Sequence, residues 1–241
     1  MPASRSYDRA AAEIRPVTIE PGFVATADGS ALISAGQTKV ICTASVAASV
    51  PRWLEGTGRG WVTAEYAMLP ASTGERKSRD ISRGRQDGRS VEIQRLIGRS
   101  LRVVVDFERL GERSVYVDCD VLQADGGTRC AAISGGYVAL RLALQKLIDT
   151  GDLEAMPLTG SVAAVSVGIV AGEALCDLDY SEDSAAEVDA NVVMTGDGEL
   201  VEVQATAERT PLSRASLDEL LELAEAGIAQ LREAQERAGG S

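Results

Sequence analysis

Apolar and polar positions alternate in short runs along the first third of the chain, the signature of half-buried strands. Ile14 to Glu20, Phe23 to Ala27, Ala31 to Ala35 and Lys39 to Ala47 each read as a strand, punctuated by Pro21-Gly22, Asp28-Gly29 and Gly36. Trp61 to Leu69 reads as a further strand. From Pro70 to Gly88 the alternation dissolves into polar, glycine-containing, arginine-rich sequence, which predicts a long mobile loop. Loops of that length inside a compact domain are usually functional or disordered.

The period then changes. From about Ser90 to Val105, the residues Ile93, Leu96, Ile97, Leu101 and Val104 form the apolar stripe of a helix, with Arg95, Arg99 and Arg102 on another face. Val115 to Leu122 alternates again, Asp118 and Asp120 being its polar members. The tight turn Asp125-Gly126-Gly127 leads to a second helix, Ala131 to Ile148, which ends before Gly151. Residues 161–178 read as a hairpin turning near Ala171-Gly172, and Ala190 to Thr195 and Glu199 to Ala205 flank the turn Gly196-Asp197-Gly198. A last helix spans roughly Arg214 to Arg237. Leu217, Leu220, Leu221, Ala224, Ile228 and Leu231 form its buried face, and Ser216 with Glu219 suggests a capping box. With no internal repeat and no clear linker, the simplest architecture is one α+β domain over residues 1–241.

Composition narrows the chemistry. Of 241 residues 45% are hydrophobic but only 4% aromatic, so the core must be mostly aliphatic, and the case for binding by many stacked rings is weakened. There is no histidine, which removes the commonest general base, histidine-activated nucleophiles and histidine-ligated metals. Any catalysis must run on carboxylates, arginines and a hard metal ion. Cys42, Cys119, Cys130 and Cys176 are far apart and read as buried reduced thiols. Met1 to Glu13 has no apolar core of a signal peptide, and no apolar run is long enough to span a bilayer, so a cytoplasmic protein without membrane partners is expected. The net charge of −12 speaks against a nucleic-acid partner until it is divided along the chain. From Arg76 to Arg102 there are nine basic residues against three acidic ones, net +6, leaving −18 elsewhere. An acidic body with one polyanion-binding segment is the consequence. Arg76, Arg79, Arg83, Arg85, Arg95 and Arg99 are its candidate RNA contacts.

Three constellations carry chemistry. The turn Gly126-Gly127-Thr128-Arg129 joins a strand to a helix whose first N–H groups attract an anion. Arg129 is the informative residue: a cation in the first helical turn opposes the macrodipole, at a cost of about 0.3–1 kcal/mol, unless an anion sits between. Arg89, just before the helix that starts near Ser90, repeats the oddity. Arg89, Gly127, Thr128 and Arg129 are therefore candidate phosphate ligands. The third constellation is the acid-rich stretch Asp177 to Asp189, whose carboxylates suit Mg²⁺ or Mn²⁺ and proton transfer. An anion site, a metal or acid site and a polyanion segment together fit phosphoryl transfer.

Gly60-Trp61-Val62-Thr63-Ala64-Glu65-Tyr66, the helix segment Glu92 to Arg102, Asp118 to Arg129, Asp177 to Asp183 and Asn191 to Gly198 strongly resemble ribonuclease PH, in the same order and over about Arg9 to Gln235. The resemblance implies a mixed β-sheet packed with helices, like the second domain of ribosomal protein S5, and a homohexameric ring built as a trimer of dimers. It implies a phosphorolytic tRNA nucleotidyltransferase, which removes 3′-terminal nucleotides from tRNA precursors with inorganic phosphate and releases nucleoside diphosphates reversibly. By motif match, Arg89 and Gly127-Thr128-Arg129 correspond to the phosphate site. Asp183 and Asp189 correspond to the acidic pair that serves the divalent metal and proton transfer, with Asp183 the expected donor. The loop Arg76 to Arg85 falls where the family holds tRNA. Two rivals remain: a non-catalytic RNA-binding subunit of an exosome-like ring, and a metal-dependent hydrolase that releases monophosphates.

Overall fold

A computed structural model describes residues 5–208 and 211–239, the side chains of Ile81 and Arg83 excepted. Five strands, β1 (Val17–Pro21), β2 (Gly29–Ala35), β3 (Thr38–Ala47), β4 (Trp61–Met68) and β5 (Ser114–Gln123), form a first sheet in the order β1-β2-β3-β5-β4. All neighbours are antiparallel except β4 and β5. That parallel pair needs a crossover, supplied by α1 (Asp80–Arg83), α2 (Gly88–Arg102) and α3 (Phe107–Leu110). The chain continues through α4 (Thr128–Asp149) to β6 (Val162–Val170), β7 (Glu173–Cys176), α5 (Tyr180–Ala185), β8 (Val188–Thr195) and β9 (Leu200–Ala207), and ends in α6 (Arg214–Gly239). The second sheet, β7-β6-β8-β9, is antiparallel throughout. The architecture is α+β with mixed sheet, as the pattern predicts.

The alternation explains what faces what. On β3 and β5, Val40, Cys42, Ala44, Val115, Val117, Cys119 and Val121 point into one core with Ile93, Leu96, Ile97 and Leu101 of α2. Each such fully buried aliphatic contributes about 1.5–3 kcal/mol. Helix α4 lies between the two sheets, packing on β2, β3 and β5 as well as β6. That double burial explains why its sequence is apolar and small on nearly every side. Strand β6 is buried on both faces: Val162 and Ala164 join the first core, while Ala163, Val165 and Val167 join a second one under α6. All four cysteines are buried and free of disulfides.

The differences from the pattern have local causes. Phe23 to Ala27 is turn, not strand; Phe23 is 50% exposed, and Val24 exchanges both backbone groups with Ser30 Oγ. Gly29 opens β2 rather than ending a turn, and it is glycine where a Cβ would strike Ala139 O and Ala143 N of α4. The arginine loop contains the short helix α1. Helix α6 is capped by Ser213, whose Oγ accepts the Ser216 N–H at 3.0 Å, so Ser216 lies inside the helix and heads no capping box.

Candidate active site

The first wall of the site is built at two helix beginnings. Gly126 (φ +77°) and Gly127 (φ +65°) both take the left-handed conformation that turns β5 sharply into α4. Gly127, as N-cap, offers no side chain to the N–H groups of the first turn. The start of α2 is likewise uncapped by its N-cap Asp87, which instead pairs with Lys77 at 3.0 Å. Arg89 and Arg129 each occupy a first turn, Arg89 being inside α2 rather than just before it. Thr128 is buried and shares a 2.9 Å hydrogen bond with the Tyr66 hydroxyl. Arg129 donates to Gln204 Oε1 at 2.9 Å and approaches Glu92 at 3.5 Å.

The acid-rich stretch forms the second wall, and the fold sorts its six acids. Asp177 receives both the Nε and Nη2 of Arg15, at 2.9 and 2.7 Å. Asp179 caps α5 in a capping box with Glu182, and Glu182 is gripped by Arg5 and Arg9 at 2.7 and 3.3 Å. Glu187 accepts the Gly172 N–H. Asp183 and Asp189 take part in none of these contacts. Burial and the neighbouring Asp183 carboxylate push Asp189 up to about 6, against the pull of Arg129 and Arg89.

These groups meet. Arg89, Gly126, Gly127, Thr128 and Asp183 line one cavity of about 580 Å³. Arg129 and Asp189 do not line it, but Arg89, Arg129 and Asp183 all act on the Asp189 carboxylate, and both arginines act on the Tyr66 hydroxyl. Among the described residues no group of three or more acids or cysteines is arranged to hold a metal. The two-carboxylate edge still fits Mg²⁺ or Mn²⁺, because Mg²⁺ commonly takes one or two protein carboxylates and completes its shell with water and substrate phosphate.

The arginine segment is distributed otherwise than its proximity in sequence suggests. From the loop, Thr73, Gly74, Glu75 and Lys77 line the cavity, not the arginines. Arg85 lines a separate cavity of about 790 Å³ with Glu65, Asp118 and Asp120, and the charge of Arg79 reaches Asp120. Arg76 is exposed, and the Arg83 side chain lies outside the described residues. Arg95 and Arg99 border a third cleft with Arg102, where Arg99 pairs with Glu202 at 2.8 Å. In the acidic cavity, burial followed by the charges of Glu65 and Asp120 raises Asp118. A carboxylate raised by folding destabilises the fold once it ionises, and imposes no penalty below its unfolded pKa of about 4. Asp118→Asn is therefore expected to raise the melting temperature at pH 7, with the gain vanishing at pH 3; an equal gain at both pH values contradicts this.

Residues 13–144 match the family model described as 3′ exoribonuclease family, domain 1, and residues 160–227 match domain 2 of that family. The chain belongs to the ribonuclease PH family. Solved structures of similar fold include a chain of the Archaeoglobus fulgidus exosome with RNA bound to its active site, at TM-score 0.80 and 24% identity over 97% of this chain and 93% of that one. Rice (Oryza sativa) Rrp46 gives TM-score 0.76 and 18% identity over 96% and 98%. A chain of an archaeal exosome core gives 0.72 and 22% over 95% and 90%. These likenesses establish the ribonuclease PH type of fold. Among the described residues no helix is long and apolar enough to cross a membrane.

Within this family frame, sequence reasoning missed Arg5, Arg9, Arg15, Tyr66 and Gln204. The three arginines look like an ordinary solvated terminus, since their partners lie 162 to 177 residues away. Tyr66 alone carried a signal, as a polar ring at an inward position of β4.

Proposed function

We propose that the chain is a phosphate-dependent 3′-to-5′ exoribonuclease of the cytoplasm, acting on RNA 3′ ends and foremost those of tRNA precursors. It releases nucleoside diphosphates reversibly and works as a homohexameric ring. One observation carries the reading: Arg89, Thr128 and Asp183 line one cavity, and Arg89, Arg129 and Asp183 all act on the Asp189 carboxylate. Paired arginines at uncapped helix starts bind a free oxyanion, and a nuclease that used water would have little need of them.

In this reading, Arg89, Arg129, Thr128 and the Gly127 turn hold inorganic phosphate in line with the terminal phosphodiester. A phosphate oxygen forms the new P–O bond, and the 3′ oxygen of the preceding nucleotide leaves. The Asp183–Asp189 pair supplies its proton: Asp189 is raised to about 6 by burial and by Asp183, and Asp183 is the member on the cavity. Mg²⁺ or Mn²⁺ held by Asp183 and Asp189 would offset charge on the phosphoryl oxygens. Arg76, Arg79, Arg83, Arg85, Arg95 and Arg99 serve the RNA body at a distance from the chemistry, consistent with backbone contacts that carry no sequence readout.

The likeness in fold to subunits of exosomes favours a second reading, an RNA-binding ring subunit that consumes nothing. End-labelled RNA with a free 3′ tail separates them. Shortening that needs added phosphate is expected. Shortening without phosphate indicates a hydrolase, and RNA binding without shortening indicates the ring subunit.

A further inference from the structure

The two walls of the site come from distant parts of the chain. The glycine turn belongs to the β5–α4 junction, the acids to the β7–α5–β8 segment. We infer that Arg15 is the positioning residue that fixes one wall against the other, an inference that rests on the proposed phosphate site and specifies how it is held together.

Arg15 is 1% exposed and uses all three guanidinium nitrogens. One edge, Nε and Nη2, grips the Asp177 carboxylate, which also accepts the Arg15 backbone N–H at 2.7 Å. The other edge donates to the carbonyls of the glycine turn, Nη1 to Asp125 O and Nη2 to Gly126 O. Asp177 lies two residues before the N-cap of α5, the helix that carries Asp183. Thr38 Oγ1 steadies the turn from β3, donating to Gly126 O at 2.7 Å and accepting the Asp125 N–H at 2.9 Å. The walls then touch with no slack. A Cβ on Gly126 would lie 2.6 Å from Leu178 O and 2.9 Å from Tyr180 N, and one on Gly127 would lie 3.0 Å from Arg15 Nη2.

Arg9 provides the contrast. It holds the Asp177 carbonyl, the Asp177 carboxylate at 3.5 Å and Glu182, all on the acid segment, and makes its other bonds within the N-terminal stretch to Ser6 and Glu13. Of the two, Arg15 alone reaches the turn. Its planar fork can serve a carboxylate and two carbonyls at once, which a lysine ammonium on a flexible stem cannot. Arg15 does not line the 580 Å³ cavity, so it acts through the turn and not on substrate.

The test compares Arg15→Lys with Arg9→Lys in the full chain, measuring thermal melting, steady-state rates over phosphate and RNA concentration, and calorimetric binding of inorganic phosphate. Arg15→Lys is expected to raise KM and Kd for phosphate about tenfold or more, since misplacement by 1 Å can cost 10²-fold, while KM for RNA holds. Arg9→Lys is expected to lose comparable melting temperature with phosphate KM and Kd within about twofold of wild type. Equal phosphate constants in the two variants overturn the inference, as does a wild type that binds no phosphate. If the wild type binds phosphate yet releases no nucleotide, the functional reading fails while the Kd comparison still decides the role of Arg15. Should Arg15→Lys not fold, Asp177→Asn strikes the joint from its other end and is read by the same constants.

Discussion

Asp183→Asn is expected to reduce phosphate-dependent nucleotide release by about 10³-fold, within the range that a positioned general acid supplies. The substitution removes the only carboxyl of the pair that lines the cavity, and with it, in the proposed mechanism, both the proton path to the leaving 3′ oxygen and half of the carboxylate edge proposed for the metal. RNA affinity should hold or rise slightly, because a negative charge facing a polyanion is lost. The remaining acid reports independently. Burial first and the Asp183 charge second raise Asp189, so the alkaline limb of any residual pH–rate profile, where a proton donor is lost, should move to lower pH in the variant. Release rates at saturating phosphate and filter-binding of RNA check both statements. Activity within tenfold of wild type removes Asp183 from the chemistry.

Arg129→Ala is expected to lower kcat/KM for phosphate by roughly 10- to 100-fold, the equivalent of one charge-assisted hydrogen bond of about 1.5–3 kcal/mol. Its effect on stability should carry the opposite sign. In the phosphate-free protein the Arg129 cation faces the positive end of α4, and its removal should gain a few tenths of a kcal/mol by the dipole argument, offset in part by the lost contact with half-exposed Glu92. Gln204 Oε1 loses its donor, but Gln204 is only half-buried, so water can replace Arg129, while its Nε2 keeps Glu202 at 2.9 Å. A variant that is weaker on phosphate, unchanged on RNA and no less stable is the signature of a residue kept for a ligand and not for the fold. Loss of RNA affinity in step with phosphate affinity contradicts that assignment.

How much of this could be read from the sequence depended on whether the deciding interaction is local. Strands β3 and β5 and helices α2 and α6 were legible because one face of each is buried and the period shows it. The apolar period marked helix α4 only from Ala131; its first turn, Thr128-Arg129-Cys130, carries no such period and was placed by the glycine turn before it. Phe23 to Ala27 had the right composition for a strand and no partner to pair with. Within the site, Arg89 and Arg129 stood out because a cation at a helix beginning is an electrostatic anomaly visible in the sequence itself, and Thr128 stood out through the glycine turn it follows. The sorting of the acids was not legible. It depends on Arg5, Arg9 and Arg15 closing on Asp177 and Glu182 across most of the chain, and no spacing announces that. The arginine loop misled in the same way: proximity in sequence to Arg89 suggested one surface, whereas the fold sends Arg85 to the acidic face of β4 and β5.

The whole account stands on a free phosphate ion becoming part of the product. Incubating the protein with unlabelled RNA, Mg²⁺ and radiolabelled inorganic phosphate, then separating the nucleotides by thin-layer chromatography, tests this in one step. The account predicts label in nucleoside diphosphates that accumulate as the RNA shortens. Unlabelled nucleoside monophosphates, or no released nucleotide at all, would contradict it.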